Sequence, residues 1–300
     1  MSDKMIIEYK KETALTDYFE SKVNTKKFNK GGIWEKLGFK NIVYPDIYFH
    51  TGSLNPHSKL MIENSKITVV NSSILVDELV KNLNIKKENL RVIMPINDVE
   101  KFKKKEIKIP FYKEHNINED DKIIYFTAQN FKRNGLESFC DIITKVESTN
   151  FRVFITCTID KELDYAKKII KKFEIEDKVT FIENEIFDMA DIFILPTANI
   201  NFSTAVVKAV TNKCAVFVPT NNNAIEIIDV FAIMDDPDDS NTAYKVDMLL
   251  RVPDELKKIQ KENYTIGKKL NTRYQNVLID EIIIELKELI EYKKKKVIKK

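Results

Sequence analysis

Two residues that can bind a ligand lie at the ends of predicted strands and helices: His50 follows a predicted strand, and Thr204 begins a predicted helix. His50 directly follows the apolar segment Ile47-Tyr48-Phe49, which predicts a short buried strand. Parallel sheets bind ligands beyond the carboxyl ends of their strands, so His50 is a candidate ligand contact. The alternative is a partly buried histidine that hydrogen-bonds to the backbone. Thr204 begins a predicted helix, and the unpaired N–H groups of a helix start can bind a phosphate.

Several kinds of chemistry are disfavoured by what the sequence lacks. Its three histidines have no acidic or cysteine partner at ligand spacing, so we expect no metal site. The segment Asp235-Asp-Pro-Asp-Asp239 lacks the glycine and the final glutamate of a calcium loop, so a turn is expected there. The glycine-rich phosphate loop, the dinucleotide fingerprint and the Gly-x-Ser-x-Gly elbow are absent, which disfavours ATPases, nicotinamide enzymes and a serine nucleophile.

Composition indicates a soluble globular protein. The chain has 300 residues, of which 43% are hydrophobic and 32% charged. The net charge is +3, and +3 less the six lysines of the carboxyl-terminal tail leaves −3, so a nucleic-acid partner is not expected. Three separated cysteines and no apolar run of about 20 residues predict a cytoplasmic location. The lysine tail is either a solvated end or a peripheral contact with the inner face of an anionic membrane.

Apolar segments alternate with amphipathic segments along most of the chain. Such alternation predicts an α/β fold with parallel, doubly wound sheets. We predict a first domain over residues 1–105, a second over 106–275, and a helix with a basic tail over 276–300. The lysine-rich residues 101–108 are interpreted as a linker. The clearest predicted strands are at residues 67–70, 122–126, 151–156, 179–182, 191–195 and 215–218.

From Ile47 onward, the order of these segments resembles glycosyltransferase family 4. Tyr48-Phe-His-Thr51 is similar to a Phe-His-Thr element at a strand end of that family, and Ala190-Asp-Ile-Phe-Ile-Leu-Pro196 resembles the loop that meets the donor. The resemblance implies a GT-B-like fold, in which two Rossmann-like domains with parallel, doubly wound sheets face each other across a cleft. The first would bind the acceptor and the second the nucleotide-sugar. The residues before the linker are fewer than in the family's usual first domain, so an abbreviated N-terminal domain is expected.

The resemblance also implies site residues, and this chain departs from the family among them. Gln129 and Asn134 stand where the family has an arginine and a lysine for the phosphates. Ile200 and Lys208 stand where the family has two glutamates, and neither can accept a hydrogen bond from a sugar hydroxyl. His50 would be catalytic and contact the transferred sugar or the attacking hydroxyl. Donor contacts are expected from Gln129, Lys132, Arg133, Asn134, Pro196, Thr197, Asn199, Asn201, Ser203, Thr204, Lys208 and Glu226.

Two functions from different classes remain open. The first is a retaining glycosyltransferase that moves a sugar from a nucleotide-sugar to a saccharide or lipid-linked acceptor in polysaccharide biosynthesis, without a metal or other cofactor. The second is a catalytically inactive GT-B-like binding or scaffold subunit that partners another transferase, as the altered donor residues suggest. An abbreviated first domain also makes a homodimer a candidate assembly. Glu226 either accepts a hydrogen bond from the donor or caps the next helix.

Overall fold

The structure is a computed structural model that describes residues 4–28, 43–83, 85–99 and 103–298. The chain divides into two compact units, which we call the first unit (Met1–Ile96 with Thr272–Lys300) and the second unit (Asn97–Asn271). The strands among the described residues are β1 (Met5–Tyr9), β2 (Thr25–Lys27), β3 (Ile47–Phe49), β4 (Ile67–Val70), β5 (Leu90–Val92), β6 (Lys122–Thr127), β7 (Phe151–Thr156), β8 (Val179–Ile182), β9 (Ile192–Ile194), β10 (Ala215–Pro219) and β11 (Ile233–Met234). The α-helices described are α1 (Ala14–Lys22), α2 (Pro56–Asn64), α3 (Ser73–Asn82), α4 (Lys104–Glu114), α5 (Leu136–Lys145), α6 (Asp160–Lys172), α7 (Thr204–Thr211), α8 (Asn241–Arg251), α9 (Pro253–Gly267) and α10 (Thr272–Ile298).

The described strands of the first unit form a parallel sheet in the order β2-β1-β3-β4-β5. The register aligns Ile7 with Ile47 and Ile47 with Ile67, and all three side chains are fully buried on one face. Phe19 of α1 and Ile282 of the C-terminal helix α10 pack against this face. The last helix of the chain therefore completes the core that the first strands begin.

The opposite face of this sheet is covered by α2 and α3. Tyr48 points to this face, since side chains alternate along a strand, and it packs with Met61 of α2. His50 lies two residues beyond Tyr48 and points the same way. A capping box fixes the start of α2: Asn55 Oδ1 accepts from the Ser58 backbone N–H at 2.9 Å, and Ser58 Oγ accepts from the Asn55 N–H at 2.8 Å.

The described strands of the second unit form another parallel sheet, in the order β11-β10-β9-β6-β7-β8. Residues 123–126 of β6 are all fully buried, as expected of a strand covered on both faces. From β6 the chain adds β7 and β8 on one side and then places β9, β10 and β11 on the other. The strand order thus reverses between β6 and β9, and in the first unit it reverses between β1 and β3. Connections diverge at such a reversal and leave a crevice for ligands.

Helix α4 occupies much of the segment that the sequence predicts to be a linker, so that prediction is wrong from Lys104 onward; residues 101 and 102 lie outside the described residues. The ammonium of Lys104 donates to three backbone carbonyls, those of Ala190, Asn212 at 3.0 Å and Lys213 at 3.1 Å. A lysine stem is apolar, so a lysine-rich segment can pack as a helix when its ammonium groups reach acceptors.

A second lysine of α4 forms a largely buried ion pair. Lys108 contacts Asp191, and their side chains are 13% and 10% exposed. Burial lowers the pKa of the Lys108 ammonium, and the Asp191 carboxylate opposes that shift. The same carboxylate accepts a hydrogen bond of 3.0 Å from the backbone N–H of Ile123. Helix α4 is therefore tied to the amino ends of β6 and β9.

We expect Lys104→Met to lower the free energy of unfolding by about 2 kcal/mol, because the carbonyls would lose a charged hydrogen-bond donor while the apolar stem is kept. The matched control is Lys105→Met, since Lys105 is exposed on the same helix. Urea unfolding followed by circular dichroism measures both variants. Equal stability of the two variants would show that the Lys104 ammonium does not stabilise the second unit.

Candidate functional site

The second unit contains a cavity of about 520 Å³ beyond the carboxyl ends of its strands, which we call the β6–β9 cavity. Its wall includes the ends of β6 and β7, the residues after β8 and β9, and the first turn of α7. The cavity therefore lies where the strand order reverses, which is the general position of ligands in open α/β sheets.

Most of the donor residues expected from the sequence line this cavity. They are Gln129, Asn134, Thr197, Asn199, Asn201, Ser203, Thr204 and Lys208. Four others do not line it. Lys132 and Arg133 are exposed beside it, Pro196 is buried behind it, and Glu226 is half-buried in the short 3-10 helix Asn223–Ile227. The two cations expected near the phosphates thus lie outside the wall of the cavity.

A close backbone approach joins the loops that follow β6 and β9. Gly135 has a φ of +81°, and a β-carbon at this position would lie 1.8 Å from the carbonyl oxygen of Pro196. Only glycine fits such an approach. The hydroxyl of Thr197 also donates to Asn134 Oδ1 at 3.1 Å, so a side-chain hydrogen bond reinforces the contact.

Asparagines hold the loop between β9 and α7 in one conformation. Asn199 accepts through Oδ1 from both the backbone N–H and the amide group of Asn201, at 3.1 and 3.0 Å. Asn222 donates to the backbone carbonyls of the same two residues, at 2.7 and 2.9 Å. Sequence reasoning selected Asn199 and Asn201 but missed Asn222, whose only signal was a run of three asparagines after β10.

The first turn of α7 opens into the β6–β9 cavity. Ser203, Thr204 and Ala205 line it, and the Ser203 side chain does not cap the helix. The first N–H groups of a helix have no intrahelical partner, and the helix dipole makes this end positive. The first turn of α7 can therefore bind an anionic group such as a phosphate.

Carboxylates outnumber cations on the cavity wall. Glu162, Glu183 and Glu185 line it, and Lys208 is the single lysine or arginine that the described part of the chain contributes there. Lys208 is paired with Glu185 at 2.6 Å, and Glu162 accepts from the backbone N–H of Phe131 at 2.6 Å. Sequence reasoning missed these glutamates. Glu183 and Glu185 follow β8, and their position after a strand was the only available signal.

The first unit contains a smaller cavity of about 280 Å³, which we call the His50 cavity. It lies at the carboxyl ends of β1 and β3, where the strand order of that sheet reverses. His50 is only 2% exposed, and its Nε2 has no hydrogen-bond partner among the described residues. The alternative, a partly buried histidine that hydrogen-bonds to the backbone, stays open, because the imidazole also has a backbone hydrogen bond at Gly52.

The environment of His50 keeps its imidazole neutral. Burial lowers its pKa to about 4, and a backbone hydrogen bond at Gly52 opposes that shift. Nδ1 lies 3.4 Å from the hydroxyl of Tyr48. Burial raises the pKa of that hydroxyl to about 12, so Tyr48 also stays neutral. The pair can exchange hydrogen bonds with a neutral ligand without a change of charge.

The described residues contain no group of three or more His, Cys, Asp or Glu side chains arranged to hold a metal ion. None of their helices has both the length and the apolar character that crossing a bilayer requires.

Known proteins resemble this chain both in sequence profile and in fold. Residues 108–265 match the profile of the family described as Glycosyl transferases group 1. A sucrose-phosphate synthase from Thermosynechococcus elongatus is similar in structure, with 13% identity, a TM-score of 0.67 and coverage of 85% of this chain and 71% of that one. A glycosyltransferase from Rickettsia africae has 14% identity, a TM-score of 0.69 and coverage of 93% and 84%. Anabaena Alr3699/HepE, solved in complex with UDP-glucose, has 11% identity, a TM-score of 0.65 and coverage of 80% and 72%. No curated protein sequence matches the chain.

These structural similarities confirm the predicted α/β, GT-B-like fold class with two parallel sheets. Identities of this size show the fold alone, so any ligand assigned to this chain is a proposal.

We expect Gly135→Ala to lower the free energy of unfolding by roughly 3–5 kcal/mol, because it adds left-handed backbone strain to a collision with Pro196. Gly52→Ala is the control. Gly52 also has a positive φ, +93°, but a β-carbon there meets nothing within 4 Å, so only strain of about 1–2 kcal/mol is expected. Chemical denaturation of both variants tests the difference, and equal losses would show that the approach to Pro196 is not a tight contact.

Proposed function

We propose that this chain, which belongs to the family of glycosyl transferases group 1, moves a sugar from a nucleotide-sugar donor to a saccharide or lipid-linked acceptor, with retention of configuration. The observation that carries the proposal is the first turn of α7, whose N–H groups open into the β6–β9 cavity. A nucleotide-sugar presents a diphosphate, which is the kind of group that a helix start binds. The HepE complex with UDP-glucose supports this donor class by similarity of fold.

The proposed donor site binds the diphosphate through neutral groups. The N–H groups of Thr204 and Ala205 face the leaving diphosphate, with the amides of Gln129 and Asn134 as further polar contacts on the wall. Oriented dipoles stabilise the charge that develops on a leaving group without having to reorganise. Lys132 and Arg133 lie outside the wall, where they raise the local positive potential for an approaching anion.

The proposed mechanism needs no nucleophile from the protein. In a retaining transfer of this kind, the acceptor hydroxyl attacks on the face that the diphosphate leaves. The bond from the sugar to the diphosphate breaks as the new glycosidic bond forms, and the hydroxyl proton passes to the departing diphosphate, so the protein supplies orientation and charge stabilisation. We assign His50 as the catalytic residue, because its buried Nε2 has no described partner and can bond to a hydroxyl of the transferred sugar or of the acceptor. The proposal includes no metal and no cofactor besides the nucleotide-sugar.

Acceptor, location and assembly are further parts of this proposal. A surface polysaccharide or a lipid-linked saccharide precursor would present the attacking hydroxyl. We keep a cytoplasmic location, with the lysine tail as a contact for the inner face of an anionic membrane. Most side chains of that tail lie outside the described residues. A homodimer and a partner transferase both remain candidate assemblies.

A non-catalytic binding or scaffold subunit is the second candidate function, and the charge of the β6–β9 cavity favours it. Glu162 and Glu183 repel a diphosphate, and the ammonium of Lys208 is already paired with Glu185. An inactive relative that kept this fold but lost the cationic side chains that bind phosphates would have a cavity of the same charge. Nucleotide binding separates the two functions.

We expect one of uridine, guanosine or cytidine diphosphate to stabilise the protein by about 2.7 kcal/mol at 100 times its dissociation constant. Thr204→Pro should weaken that binding about ten-fold, since it removes the first N–H of α7. Proline is well tolerated at this helix position, and the extended Ser203 backbone (φ −83°, ψ 121°) suits a following proline. Thermal shift and calorimetry measure both effects.

Thr204→Ala is the matched control, because it shortens the same side chain and keeps the N–H. If Thr204→Pro binds the nucleotide as well as Thr204→Ala does, the helix start does not hold the diphosphate. If no nucleotide stabilises the wild-type protein, the scaffold function is the better description.

We expect His50→Ala to abolish sugar transfer and donor hydrolysis while nucleotide binding survives, because the change removes the contact at the transferred hydroxyl. The active form of His50 is neutral, so kcat/KM should fall as the pH drops through about 4, rather than near the ordinary value of 6.5. His115→Ala, which removes a histidine of the second unit, is the control. Full activity of His50→Ala would remove this residue from the mechanism.

A further inference from the structure

The His50 cavity contains an ionisable pair that the proposed transfer chemistry does not use. His57 Nε2 lies 3.3 Å from Glu8 Oε1, and both side chains are only partly exposed, at 35% and 21%. Glu8 Oε2 has no hydrogen bond to any described residue. The cavity therefore offers a carboxylate oxygen that has no described protein partner. His50 also lines the cavity, and its enclosed Nε2 has no described partner either.

Regular elements hold these groups in fixed positions. Glu8 on β1 is the register partner of Tyr48 on β3, so the two side chains lie next to each other on one face of the sheet. His50 follows two residues after Tyr48 on the same face. His57 lies in the first turn of α2, which the Asn55 capping box fixes. The groups are therefore preorganised by two strands and one helix.

The wall of the cavity combines several kinds of hydrogen-bond donor and acceptor. Thr51 and Ser53 add hydroxyl groups to the imidazoles, the phenol and the carboxylate. A volume of about 280 Å³ is just below the roughly 300–1,000 Å³ of ligand pockets, so the cavity suits one sugar ring better than a nucleotide. Adjacent ring hydroxyls both donate and accept, so they match this mixture of groups.

We propose that the His50 cavity binds one neutral hexose unit of the acceptor, with Glu8 as the residue that selects it. Glu8 accepts hydrogen bonds from ring hydroxyls, His57 holds the Glu8 carboxylate in place, and His50 Nε2 bonds to a further hydroxyl. This inference rests on the proposed function and names its acceptor class. An acidic sugar would set its own charge against the Glu8 carboxylate. Lys10 also lines the cavity, and its side chain is exposed.

The three histidines of the chain allow a direct test on the full-length protein. With 13C-labelled histidine, the ring signals of His50 and His57 report on the first unit, and that of His115 is an internal control in the second. Signals are assigned with His57→Gln and His115→Gln. Titration with methyl glucopyranoside, galactopyranoside and mannopyranoside should give saturable shifts of the His50 and His57 signals with at least one of them. The His115 signal should not move, and methyl glucuronide should bind about ten-fold more weakly or not at all.

Substitution at Glu8 tests its role in selection. Glu8→Gln should weaken binding of the neutral glycoside about ten-fold, the loss expected for one hydrogen bond to a charged group. Glu63→Gln, an exposed glutamate of α2, is the matched control and should bind as the wild type does. If Glu8→Gln does not fold, His57→Gln is used instead, because it removes the group that holds the carboxylate. Glycoside binding, measured by the ring signal of His50, should then be weaker than in the wild type.

Three results would overturn the inference: no neutral glycoside moves the His50 signal, the glucuronide binds as well as the neutral glycosides, or Glu8→Gln and Glu63→Gln bind alike. Nucleotide binding is measured on the same samples. Nucleotide binding without glycoside binding rejects this inference and leaves the proposed function standing. Glycoside binding without nucleotide binding supports this cavity and rejects the proposed donor chemistry.

Discussion

The approach of Gly135 to the carbonyl of Pro196 sets the geometry of the second unit's site. The connections after β6 and β9 leave the sheet in different directions, because the strand order reverses between these strands. The absence of a side chain at Gly135 lets them meet, and the hydrogen bond between Thr197 and Asn134 fastens the contact. The asparagines beyond it then determine the path to α7. The cavity is thus shaped by backbone contacts before any ligand binds, which is what preorganised binding requires.

The part of this site that could be predicted follows from local patterns. A buried apolar run that ends at Pro196 and a polar loop before Thr204 indicate a strand end and a helix start without any knowledge of neighbours. Glu183 and Glu185 could not be placed in this way. They follow β8, and a parallel sheet predicts only that β8 and β6 end at the same edge. The sheet order is needed to show that β8 lies two strands from β6. The pairing of Lys208 with Glu185 depends on that order too.

Local patterns also reveal the elements of the fold without showing which elements are neighbours. Alternating apolar strands and amphipathic helices were enough to predict parallel sheets, because each strand must be covered on both faces. An amphipathic helix, however, shows that one face is buried without showing what covers it. The packing of α10 against Phe19 joins residues from opposite ends of the chain, and no local pattern encodes it. Lys104 shows an error in the other direction. A run of lysines resembles a solvated linker, but the ammonium of Lys104 donates hydrogen bonds to three backbone carbonyls of the fold.

Neutral hydrogen-bonding groups at both cavities have one physical explanation. Burial disfavours a charge that has no partner, so His50 in its enclosed position is neutral, and a neutral imidazole can donate or accept. The one lysine on the described wall of the β6–β9 cavity, Lys208, forms an ion pair with Glu185, so its charge is already partly neutralised. The N–H groups at the start of α7 keep pointing out of the helix end, because the helix fixes their direction. A wall that is rich in glutamates can therefore still present a positive end to a phosphate, provided that backbone dipoles rather than side chains supply it.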